Sequence, residues 1–517
     1  MTSTLIVTPS GHCSRTGCYT RAMATVPFQA FLDVAVQALE TGDTDAAIAT
    51  LSATISQSPG PASGPARIML AEAYILHGDL TRAAESLADL TDLHARQLTS
   101  HWPSALSRIR GRLAFYRGEQ ATAIAWLERA VALAGTDDRS RGQAHFALAQ
   151  AYRKVGDADV LREHVAEAAI ALHRAGDRRT LALLHSFSAT VLAQKGRISE
   201  ADTAFDRAEG LARSAGASDV LAMVYGNQAN LADLRDQLRQ ARVLAERTVA
   251  LERRRRGGPG LSRSLGNLGQ ILFRLGDLTR AERVLHEALE ARCAVQFHEI
   301  GGGIFDTLAQ LALLRGDYEG ADANLREALA AFGAYGRNTS GWYEWSLRTI
   351  EARVATRRGA PDEALTIADT LARSPTTPPV AVLEAELVGA EALLAANRVT
   401  DALARLRSTG RHLDRAQSPA RTGEFDRLMG RALAGHGDTN AAVQHLLDSV
   451  RIFDDNGERY QAAMSRWALA RVRVATGALA DAETLLTDAQ ATLEELGASR
   501  DLEALRAERS TTRPSPA

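Results

Sequence analysis

The 517-residue sequence has little cysteine, few aromatic residues and almost no lysine. Its three cysteines, Cys13, Cys18 and Cys293, are too few for a disulfide framework in a chain of this size. Lys154 and Lys195 are its two lysines, and neither lies in the motif of a phosphate-binding loop. These absences argue against a disulfide-rich secreted protein and against enzymes that depend on such a lysine.

Long hydrophobic runs and a strong net charge are missing as well. No stretch approaches the roughly 20 apolar residues of a membrane helix. The run Leu5-Ile6-Val7 is too short for the core of a signal peptide. The 60 basic and 62 acidic side chains leave a net charge of −2, without the basic excess of a nucleic-acid binder. We therefore expect a cytoplasmic protein that contacts neither a membrane nor nucleic acid directly.

The sequence does contain a repeat of about 40 residues. A turn residue is followed five positions later by Ala, except in the fourth repeat, where Leu161 stands there. Successive turns are 36 to 43 residues apart. The twelve turn residues are Gly42, Gly78, Gly118, Gly156, Gly196, Asp236, Gly276, Gly316, Gly359, Asn397, Gly437 and Gly477.

Two further columns align with these turns. Seven residues before each turn the residue is Ala or Gly, as at Gly269 and Ala309, and nine residues after it the residue is apolar, as at Leu285. A helical hairpin explains the pattern, because a left-handed turn residue ends the first helix and small residues let the two helices approach. Aspartates that directly follow turns would cap the second helix, among them Asp43, Asp79, Asp277, Asp317 and Asp438.

One hairpin cannot bury its outer face alone, so the hairpins must stack into a continuous core. We predict an all-α superhelical solenoid of about twelve hairpins over residues 28–507. Residues 1–27 and 508–517 carry no repeat signal, and we expect both to be disordered. A break in the solenoid near residues 374–380, and a start at Met23 instead of Met1, are alternatives.

The pattern resembles the tetratricopeptide repeat. Small residues occupy the family's small positions, Tyr74 and Tyr152 match its aromatic position, and residues 264–277 (SLGNLGQILFRLGD) match best. The 40-residue period resembles the variant in kinesin light chains, mitotic-spindle adaptors and the sensor arms of large bacterial regulators. The resemblance covers about residues 28–505 and implies a right-handed solenoid whose first helices line a concave channel that binds extended peptides.

The position six residues before each turn should face that channel. It holds an amide or a hydroxyl in the central repeats and mostly arginine in the C-terminal ones, as at Arg353 and Arg431. A ladder of amides would bond to a peptide backbone without reading its side chains, and the flanking cations would hold acidic side chains or a terminal carboxylate. The candidate peptide-binding residues are Arg112, Gln150, Arg153, Lys154, Asn227, Asn230, Asn267, Gln270, Arg274, Gln310 and Arg353. An ordinary hydrated polar surface is the alternative.

Other motifs favour structural interpretations. The run 253–256 (RRRR) resembles a basic patch, but it stands where a second helix ends and cations complement the helix dipole. The run 301–303 (GGG) lacks the lysine of a phosphate loop, and we expect a link between repeats. His286 and His298 lack the second histidine of a zinc-peptidase helix. No catalytic constellation occurs, so we expect no enzyme activity, no metal and no cofactor.

Two functional hypotheses remain. The first is a non-catalytic scaffold that binds a protein or an extended peptide, with an acidic ligand as one alternative. The second is the sensory arm of a signalling or transcriptional regulator whose output domain lies on another chain. Its motivation is residues 493–502 (LEELGASRDL), which look like the junction to an output domain in large bacterial regulators. The sequence leaves the oligomeric state open.

Overall fold

A computed structural model describes most of residues 28–512 as stacked helices. The undescribed positions within that range are 42, 58–62, 89, 91–99, 255–258, 293–297, 334–341, 376 and 417. The described residues form 25 helices and no strand, and none of these helices has the length and apolarity to cross a membrane. The chain is therefore an all-α superhelical solenoid, as predicted.

The helices pair into twelve hairpins followed by one further helix. The first helices of the hairpins are α1 (Phe28–Thr41), α3 (Gly64–His77), α5 (Trp102–Tyr116), α7 (Asp138–Val155), α9 (Arg178–Gln194), α11 (Ser218–Leu234), α13 (Pro259–Arg274), α15 (His298–Arg315), α17 (Trp342–Arg358), α19 (Pro379–Ala395), α21 (Pro419–His436) and α23 (Arg459–Ala475). The second helices are α2 (Thr44–Gln57), α4 (Leu80–Ala88), α6 (Gln120–Ala134), α8 (Ala158–Ala175), α10 (Ile198–Ser214), α12 (Leu238–Arg254), α14 (Leu278–Arg292), α16 (Tyr318–Gly333), α18 (Pro361–Arg373), α20 (Val399–Ala416), α22 (Thr439–Asn456) and α24 (Leu479–Leu496). The last helix is α25 (Ser499–Thr512).

The turns within the hairpins have the predicted left-handed backbone. Every described turn residue has a positive φ, between 56° at Asp236 and 96° at Gly437. The aspartate after the turn accepts a hydrogen bond from a backbone N–H of the second helix, as Asp79 Oδ1 does from Arg82 at 2.9 Å. Asp43, Asp317 and Asp438 make the same cap. Turn and cap together end one helix and start the next.

The small-residue columns lie in the core, as predicted. All twelve residues at the column seven before the turn are buried, and so are all twelve at the column five after it. A Cβ atom at Gly269 would lie 2.5 Å from Leu285 Cδ2, so the native packing requires glycine at this position. Leu285 belongs to the third column, which is buried except at Val165. The columns therefore define the seam between the two helices of each hairpin.

Three expectations about boundaries and links need correction. The core continues across the expected break near residues 374–380, because Ala364 of α18 packs with Val388 and Ala392 of α19. Residues 301–303 do not form a link between repeats but lie within α15. Residues 508–512, expected in a disordered tail, belong to α25. Residues 1–27 and 513–517 lie outside the described residues.

The superhelix turns tightly enough for later hairpins to pack on earlier ones. The turn at Gly276, in hairpin 7, lies against Leu496 at the end of α24. One apolar cluster joins Leu272 and Leu278 of hairpin 7 with Trp467 and Leu493 of hairpin 12. Successive turns of the superhelix therefore touch, and the inner surface becomes a narrow lumen.

Candidate functional site

The first helices of the hairpins line the inside of the superhelix. Arg353 of α17 reaches Glu424 of α21, two hairpins further on, with an Nη2–Oε1 distance of 2.9 Å. Arg357, also on α17, donates to Tyr460 Oη of α23 at 2.9 Å. Because these contacts connect hairpins that are not neighbours, the side chains must meet across the interior. We call the space lined by the inner faces of the first helices the lumen.

Amide side chains from two successive first helices come together. Asn227 Nδ2 donates to Ser186 Oγ at 3.0 Å, and Asn267 Nδ2 donates to Asn230 Oδ1 at 2.8 Å. Asn230 and Gln270 are exposed. An amide has two donor hydrogens and two acceptor lone pairs, so each of these side chains keeps unused capacity. We call Asn227, Asn230, Asn267 and Gln270 the amide patch.

A carboxylate that sequence reasoning missed follows the amide patch. Asp306 Oδ1 accepts a hydrogen bond from Gln310 Nε2 at 2.9 Å, and Asp306 Oδ2 accepts one from Ser346 Oγ at 3.3 Å. Burial raises the pKa of the half-buried Asp306 to about 6, against the lowering effect of both hydrogen bonds. Its position four residues before Gln310 on a channel-facing helix is the signal that could have identified it.

Three of the predicted arginines have carboxylate partners within the protein. Arg112 Nη1 lies 2.8 Å from Glu72 Oε1. Arg274 Nη1 lies 2.9 Å from Asp233 Oδ1, and Arg353 pairs with Glu424 as described above. An acidic ligand would have to compete with these carboxylates, which corrects the expectation that Arg112, Arg274 and Arg353 are available to it.

The predicted residues on α7 have different surroundings. The Arg153 guanidinium lies 5.4 Å from the centre of the Phe187 ring, and Lys154 Nζ lies 4.4 Å from the centre of the Phe115 ring. Both cations are exposed, whereas Gln150 is half-buried. Both cations therefore lie above aromatic faces, an arrangement in which the ring quadrupole attracts the charge.

Arg431 on α21 is a lumen cation without an ion pair or hydrogen bond to the described residues. It is half-buried. Burial and the neighbouring Arg427 and Arg471 guanidinium groups lower the pKa of Arg431 to about 10, against the opposing effect of Glu391. The side chain remains protonated near neutral pH, and the Glu391 carboxylate compensates part of its positive charge.

A polar contact fastens one turn of the superhelix to the next. Asp236, in the turn of hairpin 6, accepts hydrogen bonds from Ser418 Oγ at 2.9 Å and from the Ala420 N–H at 3.0 Å. The Asp236 carboxylate thereby caps α21, although the two segments are more than 180 residues apart in sequence. Arg274 also donates to Asp236 and to Glu458 Oε1, the latter at 3.2 Å.

This contact, which we call the inter-turn clasp, consists of Asp233, Asp236, Arg274, Ser418 and Glu458. Three carboxylates surround one guanidinium. Burial raises the pKa of both Asp233 and Glu458. Arg274 therefore has carboxylate partners within the protein, and the clasp joins hairpins 6 and 7 to the starts of hairpins 11 and 12.

Two motifs set aside in the sequence have structural partners. Arg253 in the last turn of α12 lies 2.7 Å from Glu287 of the next hairpin, which agrees with a helix-end role. The segment that resembled a regulator junction packs inside the solenoid, where Asp501 Oδ2 accepts from Tyr460 Oη at 2.8 Å. The Arg500 guanidinium lies 5.1 Å from the centre of the Tyr318 ring. These contacts attach residues 493–502 to the solenoid.

Comparisons with known proteins concern the repeat and the fold. Family models described as tetratricopeptide repeats match residues 38–108 and 262–292. No curated protein matches the chain. No enzyme family is indicated by these matches.

Solved structures of low sequence identity resemble the solenoid. Among them are the apo form of the quorum sensor NprR from B. thuringiensis, with a TM-score of 0.46 and 13% identity over 66% of this chain and 97% of that chain. A Rap protein complexed with Competence and Sporulation Factor has a TM-score of 0.43 and 13% identity, over 64% and 99% of the two chains. Yeast Tom70 has a TM-score of 0.36 and 14% identity, over 93% and 96%. These similarities concern the fold alone.

The repeat assignment therefore has two independent supports. The family matches cover hairpins in the first third and in the middle of the chain. The left-handed turn recurs at every described turn residue, and the columns seven before and five after the turn are buried in all twelve hairpins. The chain is a tetratricopeptide repeat protein.

Proposed function

We propose that this chain is a non-catalytic scaffold that binds an extended peptide segment of a partner protein in its lumen. The observation that carries the proposal is the amide patch, in which side chains from α11 and α13 stand next to one another. The hydrogen bond between Asn267 and Asn230 shows that amides of successive hairpins share one surface. Exposure of Asn230 and Gln270 leaves that surface accessible to a ligand.

The spacing of the first helices suits an extended ligand. Packed helices lie about 8–10 Å apart, and an extended peptide rises about 3.3 Å per residue, so each hairpin would span roughly three peptide residues. Peptide N–H and C=O groups that leave water need new partners, and Asn and Gln offer both donors and acceptors. The amide patch would therefore bond to the ligand backbone and tolerate different side chains.

An acidic group of the ligand, if present, would bind at Arg431 instead of at Arg112, Arg274 or Arg353. Those three arginines already pair with carboxylates, whereas Arg431 forms no ion pair or hydrogen bond with the described residues and interacts with the Glu391 carboxylate at longer range. A carboxylate placed there would gain a charge-assisted hydrogen bond without displacing a protein group.

The test is affinity capture from the source cells with wild-type protein and with the variant Asn230→Ala, Gln270→Ala, Gln310→Ala. A control variant carries Gln240→Ala and Gln444→Ala, which remove exposed amides from the second helices α12 and α22. Mass spectrometry identifies the captured proteins, and circular dichroism checks that each variant stays helical.

We expect partners that the wild type and the control retain and the triple variant loses. Synthetic peptides that tile such a partner should then show which segment binds, and a single extended segment should account for capture. Equal capture by all three proteins would remove the lumen as the binding surface.

A further inference from the structure

Asp306 differs in its surroundings from other lumen carboxylates that the structure describes. Glu72 pairs with Arg112, and Glu424 pairs with Arg353. Asp501 pairs with Arg357. The partners of Asp306 are the neutral side chains of Gln310 and Ser346, and no described Lys, Arg or His forms an ion pair with it. Its negative charge is therefore left uncompensated by the described part of the protein.

The two neutral partners hold this carboxylate in place. Gln310 lies one turn further along α15, and Ser346 lies on α17, so Asp306 is fixed between two successive first helices. Each hydrogen bond uses one acceptor position on one oxygen, and a carboxylate offers about four such positions. The remaining acceptor positions are free to receive donors from a ligand.

Protein stability does not explain why an aspartate stands at this position. Burial of a carboxylate without a cation disfavours its ionised form, and the pKa of Asp306 near 6 reflects that cost. Asparagine has almost the same shape, and without a charge its Oδ1 could accept from Gln310 while its Nδ2 donates to Ser346 Oγ. A charge that weakens the free protein is explained if it contributes to binding.

We propose that Asp306 binds a cationic nitrogen of the peptide in the lumen, one hairpin beyond the amide patch. The inference rests on the proposed function, because it assigns a side-chain preference to the same ligand. The cation would be the ammonium or guanidinium group of a side chain, or the N-terminal ammonium of a free peptide. All three sources donate charge-assisted hydrogen bonds to a carboxylate.

The experiment uses fluorescent mixtures of peptides of about nine residues, a length that spans three hairpins in extended form. Flanking positions are random among uncharged residues, and the central residue is lysine, arginine or the uncharged lysine analogue norleucine, all with acetylated N-termini. A fourth mixture has central norleucine and a free N-terminus. Fluorescence polarisation measures each mixture with the wild type, Asp306→Asn and the control Glu327→Gln, which removes an exposed carboxylate from α16.

We expect the wild type and the control to prefer one cationic mixture over acetylated norleucine by about tenfold, the effect of one charge-assisted contact. Asp306→Asn should lose that preference and still bind norleucine peptides. Preference for the free N-terminus would identify a terminal ammonium, and preference for lysine or arginine would identify a side chain.

Two results overturn the inference while the proposed function stands: wild-type binding without cation preference, or the same preference in Asp306→Asn. Failure of the wild type to bind any mixture would count against both the inference and the proposed function. In that case the amide patch and Asp306 would belong to a surface that does not bind peptides.

Discussion

Replacement of Asp236 by glycine should loosen the contact between successive superhelical turns. Asp236 has a φ of +56°, a backbone conformation that glycine adopts more readily than aspartate. The substitution therefore relieves backbone strain, and any loss of stability must come from the carboxylate. Asn397 provides the matched control, because it is a turn residue with a φ of +58° that is exposed and lies outside the clasp.

The expected decrease in the free energy of unfolding follows from the groups that lose the Asp236 carboxylate as their hydrogen-bond acceptor. Ser418 is 5% exposed, and its hydroxyl and the Ala420 N–H both donate to Asp236. An unsatisfied buried donor costs about 1–3 kcal/mol. Arg274 keeps Asp233 and Glu458 as partners, so its charge remains compensated and adds little. We expect Asp236→Gly to lower the free energy of unfolding by about 2–3 kcal/mol relative to Asn397→Gly.

Hydrogen–deuterium exchange gives the decisive measurement, because repeat arrays do not always unfold in a single step. The first turn of α21, including the Ala420 amide, should exchange much faster in Asp236→Gly than in the wild type or in Asn397→Gly. Urea denaturation followed by circular dichroism gives the overall stability. Equal exchange at α21 in both variants would refute the role assigned to the clasp.

Two further substitutions test the packing and the charge. Gly269→Leu should destabilise the protein by about 1–3 kcal/mol, because the new side chain would overpack against Leu285. Gly210→Ala should stabilise it by about 0.5–1 kcal/mol, because Gly210 is an exposed helical residue whose added Cβ would meet no neighbour. Thermal melts would measure both variants, and a neutral effect of Gly269→Leu would contradict the repeat register. Asp306 binds its proton more tightly in the folded state, so its contribution to stability should fall as the pH rises from about 4 to the pKa of about 6 and then level off. Asp306→Asn should remove that fall and stabilise the protein at pH 7 by about 1–3 kcal/mol, a result that denaturation curves at several pH values would check against Glu327→Gln.

The sequence by itself determined the repeat and the hairpin. The hairpin depends on a left-handed turn residue, a capping aspartate and small residues at a fixed distance from the turn. These residues interact within about 40 residues of one another, so each recurs in the sequence at the repeat spacing. Gly269 illustrates this, because its helix must approach Leu285 of the same hairpin too closely for a side chain. The amide patch was predictable for the same reason, since neighbouring hairpins repeat the same inward-facing positions.

The pairing of the lumen charges depended on the tertiary structure. Arg353 occupies a predicted inward-facing position and Arg274 was expected to flank the channel, but Arg274 pairs with Glu458, 184 residues further on, and Arg353 pairs with Glu424, 71 residues further on. Such partners are set by the small rotation between hairpins, which accumulates until one turn of the superhelix meets the next. No pattern within a single repeat specifies this accumulated rotation. The same geometry leaves Asp306 without a cationic partner among the described residues, because an ion pair requires two charges to meet across distances that sequence spacing does not specify.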